Sequence, residues 1–128
     1  MLVIQTLHHV SITVTDLDRA RRFYTGVLGL EEIERPPFDF PGAWYRLGDR
    51  QLHLIVHPAT LTLRGTAAID SRDGHFAIAV RSSREARAHL EAAGITYEHR
   101  PPGRTPWEQT FLCDPDGNVI ELSAEGPD

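Results

Sequence analysis

Apolar and polar residues alternate from His8 to Val14. Val10, Ile12 and Val14 fall on one side, while His9, Ser11 and Thr13 fall on the other. Period two over this length predicts a strand with one buried face. Thr15 and Asp16 then offer an N-cap to LDRARRFYTGVL, where Leu17, Ala20, Phe23, Tyr24 and Val27 recur at helical spacing. Gly29 stands where a left-handed C-cap is expected. Leu30 to Arg35 reads as a second strand stopped by Pro36 and Pro37. Ala43 to Leu47 and Gln51 to Val56 read as a hairpin around Gly48-Asp49.

From His75 the same order begins again. Phe76, Ile78 and Val80 oppose His75, Ala77 and Ala79 along a strand running to Arg81. Ser82-Ser83-Arg84-Glu85 matches a capping box ahead of REARAHLEAAG, which ends at Gly94. Ile95 to His99 reads as a strand closed by Pro101 and Pro102. Thr110–Cys113 and Asn118–Ser123 read as a hairpin around Asp114-Pro115-Asp116-Gly117. Each half is therefore β-α-β-β-β, and the halves share landmarks. His9 is answered by His75, His53 by Glu121, and Glu34-Arg35-Pro36-Pro37 by His99-Arg100-Pro101-Pro102. Repetition at half the chain length predicts two equivalent modules packed about a pseudo-two-fold axis.

The expected organisation is one domain over residues 1–128: module one at about 5–57, a linker at about 58–73, and module two at about 74–124. A half-length core is marginal alone, so the modules are expected to bury a shared face. The net charge of −5, from 13 basic and 18 acidic residues, and the lack of a basic cluster argue against a nucleic-acid surface. All 13 basic residues are arginine. The lone Cys113 fits a reducing compartment. MLVIQTLHH lacks the form of a signal peptide, and no window approaches the ~20 apolar residues of a membrane span. A cytoplasmic protein with no membrane partner is expected. PPFDFPGAW, from Pro36 to Trp44, is either a loop closing over a cavity, a contact for a partner subunit, or a segment packing Phe38 and Phe40 beneath itself.

Strand phase selects the candidate chemistry. If the apolar side of each strand covers a helix, the opposite side looks into the space between modules. That side carries His9 on the first strand and His53, beside Gln51 and Ile55, on the fourth. It carries His75 on the fifth and Glu121, beside Val119 and Ser123, on the eighth. Four independent parities agree, by chance a roughly one-in-sixteen outcome for a period of two. Three imidazoles and a carboxylate on rigid strands suit a divalent Zn, Ni, Mn, Co or Fe ion. Phase excludes His8, while His57, His89 and His99 have no matched partner and read as structural or surface residues, as Glu91 and Glu98 read as solvated.

HHVSITVTDLDRARRFYTGVLGLEE and FLCDPDGNVIEL resemble the vicinal oxygen chelate superfamily, which includes glyoxalase I, methylmalonyl-CoA epimerase, extradiol dioxygenases and fosfomycin- and bleomycin-resistance proteins. The resemblance spans essentially the whole chain, and IERPPFDFPGAWYRLGDRQLHLI is similar to glyoxalase-like proteins of bacteria and plants. It implies an α+β fold in which two tandem βαβββ modules form a cup-shaped mixed sheet around a metal. It also implies ligands at His9, His53, His75 and Glu121, a small-molecule substrate and a homodimer. Glyoxalase I generally carries glutamate, and the epimerase often glutamine, where this chain has His53.

With histidine there, Glu121 is the one ligand carboxylate able to move protons. The expected function is a metal-dependent glyoxalase-like lyase or isomerase. Its substrate would chelate the metal through adjacent oxygens, the metal acting as Lewis acid and Glu121 as general base. Arg46, Arg50 or Arg104 could hold an anionic end, although each also reads as a surface residue. One alternative is an Fe(II)-dependent extradiol-type dioxygenase using His9, His75 and Glu121, whose open iron sites His53 would crowd. Another is a bleomycin-resistance-like binding protein. Whether the four ligands come from one chain or two stays open.

Overall fold

The computed structural model describes residues 1–126, which divide into two compact units, one over residues 1–62 and the other from Leu63 onward. Each unit holds a four-stranded mixed sheet, and the α+β assignment holds. The first unit runs β1 (His9–Val14), α1 (Leu17–Arg21), β2 (Glu32–Ile33), β3 (Gly42–Leu47) and β4 (Arg50–Val56), in sheet order β1-β4-β3-β2. The second runs β5 (His75–Ala79), α2 (Ser83–Ala92), β6 (Tyr97–Arg100), β7 (Glu108–Cys113) and β8 (Val119–Ala124), in the matching order β5-β8-β7-β6. No helix among the described residues is long and apolar enough to cross a membrane.

The duplication extends to register. β1 and β4 are parallel with Ser11 opposite His53, and β5 and β8 are parallel with Ala77 opposite Glu121. On the antiparallel side Trp44 faces His53 and Phe111 faces Glu121. The other parity supplies the core. Val14, Leu52, Leu54 and Tyr45 are fully buried in the first unit, as are Ile120 and Leu112 in the second. Each such aliphatic side chain contributes about 1.5–3 kcal/mol of burial.

Local chemistry sets the element ends. Asp16 caps α1 by accepting from the Arg19 N–H at 2.9 Å. Ser82 caps α2 by accepting from the Glu85 N–H at 3.1 Å, while the Glu85 carboxylate accepts from Arg81. The helix predicted over Leu17–Leu28 is α-helical only to Arg21. It continues as a π-helical segment, Arg22–Val27, whose wider turn keeps the consecutive Phe23 and Tyr24 both buried. Gly29 and Gly94 take the left-handed φ of +71°. Gly48, at φ +61°, is the first residue of the two-residue β3–β4 turn, the position glycine fills in a type II′ turn.

Several strands are shorter than their sequence pattern: β1 begins at His9 rather than His8, β5 ends at Ala79 rather than Arg81, and β2 and β6 are cut back for identifiable reasons. β2 keeps only Glu32 and Ile33, as an edge strand running into two prolines that have no N–H to give. β6 begins at Tyr97 rather than Ile95, because the Ile95 N–H is spent on the carbonyl of Leu90 at the end of α2. The segment between β4 and β5 holds no helix or strand, but Arg64 fastens its second part. The guanidinium reaches Asp73 at 2.5 Å, the Ala68 carbonyl at 2.8 Å and the Gly117 carbonyl at 2.7 Å.

Gly117 closes the β7–β8 turn at φ +85°, and a Cβ there would stand 2.1 Å from the Thr66 carbonyl. Gly117→Ala should lower stability by roughly 2–4 kcal/mol in urea titration, from left-handed strain and backbone collision together. Gly29→Ala, with open space around its Cβ, should lose only about 1 kcal/mol. Equal losses would show that the approach of the linker to Gly117 contributes nothing.

Candidate functional site

The four candidate ligands stand as two pairs, one in each unit. Within neither unit do three metal-ligating side chains gather among the described residues. In the first pair, His53 on β4 is buried, with 7% of its surface exposed, and His9 on β1 is exposed. The His53 ring lies between two others. Trp44 stacks on it at 4.0 Å and 3°, and His9 stacks at 4.1 Å and 21°. The first contact follows from register, since Trp44 is the cross-strand partner of His53. The second follows because His9 is the diagonal neighbour across the parallel pair.

Burial pushes the His53 imidazole down from 6.5 to about 4, and the neighbouring His9, His8 and Arg35 charges push the same way. At neutral pH the ring is uncharged, the form that ligates a metal without first losing a proton. Its Nε2 is 2.8 Å from Gln51 Oε1, two residues back on the same face. His8 departs from the sequence expectation. β1 begins at His9, so alternation does not govern residue 8, and His8 Nδ1 lies 2.8 Å from His9 Nδ1.

The second pair is an imidazole and a buried acid. His75 Nδ1 lies 2.8 Å from the Asp73 carbonyl oxygen, and since a carbonyl only accepts, Nδ1 carries the proton. In the neutral ring Nε2 is then a lone pair, and it lies 3.3 Å from Glu121 Oε1. Two electron-rich atoms at that distance need a positive charge beside them, either a proton on Nε2 or a cation bridging both. A separation of about 3 Å is also that of neighbouring ligands on an ion with bonds of about 2.0–2.2 Å. The donor set therefore fits a divalent ion.

Neighbours on the same face fix the Glu121 carboxylate, which is 6% exposed. Gln109 Nε2 donates to Oε1 at 3.2 Å, and the Ser123 hydroxyl donates to Oε2. Phe111, opposite Glu121 in register, meets the His75 ring edge-on at 5.5 Å. Strand phase had placed Gln51 and Ser123 on this face without giving them a role, and Gln109 was not singled out in the sequence.

The remaining candidates belong to neither pair. His99 Nε2 meets Glu108 at 2.7 Å beside the Arg87–Glu108 ion pair, and His57 and His89 are exposed. Arg46 is paired with Glu31 at 3.0 Å, Arg50 is bonded to Thr6 and Asp49, and Arg104 is exposed. Burial raises the Cys113 thiol, which disfavours the reactive thiolate. Glu91 and Glu98 are exposed but paired, with Tyr97 and Arg100.

Residues 6–122 match the family described as Glyoxalase/Bleomycin resistance protein/Dioxygenase superfamily. The chain is 30% identical to a lactoylglutathione lyase of Salmonella typhimurium over 126 residues, covering 91% of this chain and 90% of that one. It spans only 35% to 47% of the longer Arabidopsis thaliana and Schizosaccharomyces pombe relatives of that name. Among solved structures, a glyoxalase family protein from Bacillus anthracis aligns with a TM-score of 0.82 at 25% identity, covering 98% and 99% of the two chains. The fosfomycin resistance protein FosX of Listeria monocytogenes, crystallised with Mn(II), shares the fold with a TM-score of 0.75 at 18% identity, covering 97% and 95%.

The depressed His53 imidazole makes stability depend on acid. Between pH 6.5 and about 4 the unfolded chain binds a proton at this position that the folded chain refuses. The stabilisation is complete above pH 6.5 and is lost as pH falls toward 4. Measured by denaturant titration in chelator, the native chain should lose on the order of 2 kcal/mol more than His53→Gln between pH 7 and pH 4.5. Parallel pH profiles would contradict a buried neutral ring.

Proposed function

The chain belongs to the glyoxalase/bleomycin resistance protein/dioxygenase superfamily, and we propose that it is a divalent-metal-dependent lyase or isomerase of the glyoxalase type, acting on a small substrate with adjacent oxygens. In this reading His9, His53, His75 and Glu121 hold one ion, from one chain or from two copies in a homodimer. The supporting observation is the second pair, where the Asp73 carbonyl fixes the tautomer that turns the His75 lone pair toward the Glu121 carboxylate. A buried carboxylate facing a lone pair is a standing demand for positive charge.

A bound divalent ion supplies Lewis acidity, drawing electrons from the substrate oxygens and making the adjacent C–H acidic. The rest falls to the chain's own groups. Glu121 accepts the proton from carbon and returns it to the neighbouring atom. The Ser123 hydroxyl and the Gln109 amide orient that carboxylate and hold its charge in place between the two transfers. Phe111, opposite Glu121 in register, sets an apolar surface beside the carboxylate that handles the proton, as Trp44 does beside His53. His53, already neutral, ligates at working pH without releasing a proton. A fourth protein ligand at His53 weighs against ring-cleaving oxygenation, which needs open sites on its iron. A cytoplasmic setting belongs to the same reading and fits the single unpaired cysteine.

Elemental analysis after loading with Ni(II) or Zn(II) should find one ion per chain, and the loaded protein should turn over the hemithioacetal of methylglyoxal and glutathione. Glu121→Gln should retain most of the metal while kcat falls about 10²–10⁴-fold. Protein that takes no stoichiometric metal, or full activity in Glu121→Gln, would overturn this assignment.

A further inference from the structure

The repeated Arg-Pro-Pro motif places an arginine at the same point of both sheets. Arg100 is the register partner of Gln109 on β7. Arg35, two residues past the Ile33–Trp44 pair, lies against the equivalent Gly42, where an added Cβ would come within 2.9 Å of its guanidinium. Both arginines share the parity of the ligand-bearing side chains. Their surroundings have diverged. Arg35 is held by its own loop: its guanidinium stacks 5.0 Å from both the Phe38 and Phe40 rings and donates to the Phe40 carbonyl at 2.9 Å. The Pro36–Trp44 segment thus neither buries its phenylalanines nor stands free, but clasps an arginine.

Arg100 has no such clasp. Its guanidinium lies 5.4 Å over the buried Phe111 ring, which meets His75 edge-on and has Glu121 and Glu98 as its cross-strand partners. Its carboxylate partner is Glu98 at 3.3 Å, with both side chains 48% exposed. An exposed pair of this kind is worth about 0–1 kcal/mol and is cheaply exchanged for another carboxylate. Across the sheet Glu121, Phe111 and Glu98 stand in one register row, and the half-exposed Arg100 guanidinium reaches over the Phe111 ring from the next row. β6 and β8 are two strand spacings apart, about 10 Å. An arginine side chain closes much of that gap.

We propose that Arg100 is a specificity-determining residue that binds a carboxylate on the substrate, a few bonds from the oxygen pair. The substrate class is then a chelating head of adjacent oxygens, such as that of a hydroxy- or oxo-acid, with a further, remote carboxylate. Arg35, spent on its loop, has no such role. This rests on the function proposed above, because the chelating head requires the metal.

The test uses two ligands with the same α-hydroxycarboxylate head and different tails. 2-Hydroxyglutarate carries the remote carboxylate, and 2-hydroxyvalerate lacks it. In calorimetry with Ni(II)-loaded protein of measured metal content, 2-hydroxyglutarate should bind about tenfold or more tightly than 2-hydroxyvalerate. Arg100→Met should bring the two within about twofold by weakening only the dicarboxylate, and Arg100→Lys should keep part of the preference. Arg104→Ala, on the neighbouring exposed loop, should keep all of it. Equal affinities in the native chain, or a preference that survives Arg100→Met, would overturn the role of Arg100 while leaving the metal assignment standing. A native chain that holds no metal would overturn both.

Discussion

Parallel pairing between the first and last strands of each module decides which side chains can act together. With Ser11 opposite His53 and Ala77 opposite Glu121, each early histidine lies diagonal to its later partner on one face. The period of a strand is two, so a slip of one residue would carry His53 or Glu121 to the helix side and unmake the pair. The opposite parity guards against that slip. Leu52 and Leu54 in one module, and Ile120 and Leu122 in the other, would have to leave the core at the same time. Hydrophobic burial on one face of the sheet thus holds the polar geometry on the other.

The two pairs are not chemical duplicates. In the first module the later side chain of the pair is a neutral ring between two aromatic planes, and burial keeps it neutral. In the second it is a buried carboxylate that accepts from an amide and a hydroxyl and faces an imidazole. Under the proposed assignment, uncharged imidazoles and one carboxylate would leave net positive charge on a divalent ion, which would favour polarising a substrate oxygen. The arginines diverge along the same line. The module with the aromatic stack locks its copy away, and the module with the acid leaves its copy half-exposed.

Much of this was legible in the sequence because the fold is written twice. Alternation around His9, His53, His75 and Glu121 gave their phase, and the Gly48 and Gly117 turns bounded the strands that carry two of them. What escaped depends on contacts no local pattern encodes. Alternation through Ile95 runs on toward Tyr97, yet α2 claims the Ile95 N–H and the strand starts later. The π-helical turn after Arg21 reflects the burial of Phe23 and Tyr24 together, which helical spacing alone does not specify. Trp44, Phe111 and Gln109 come from cross-strand register, which the sequence hints at but does not fix. Arg35 and Arg100 stood out as a repeat, but telling them apart required the surroundings of each.

The tautomer of His75 is the most direct check on this chemistry. Nitrogen NMR of ¹⁵N-histidine-labelled protein at pH 8 reports separately on Nδ1 and Nε2. In metal-free protein Nδ1 should carry a proton, and one equivalent of Zn(II) should shift Nε2 strongly while Nδ1 keeps its proton. A neutral ring protonated at Nε2, or an Nε2 signal unmoved by saturating Zn(II), would contradict a ligand pair built for a cation.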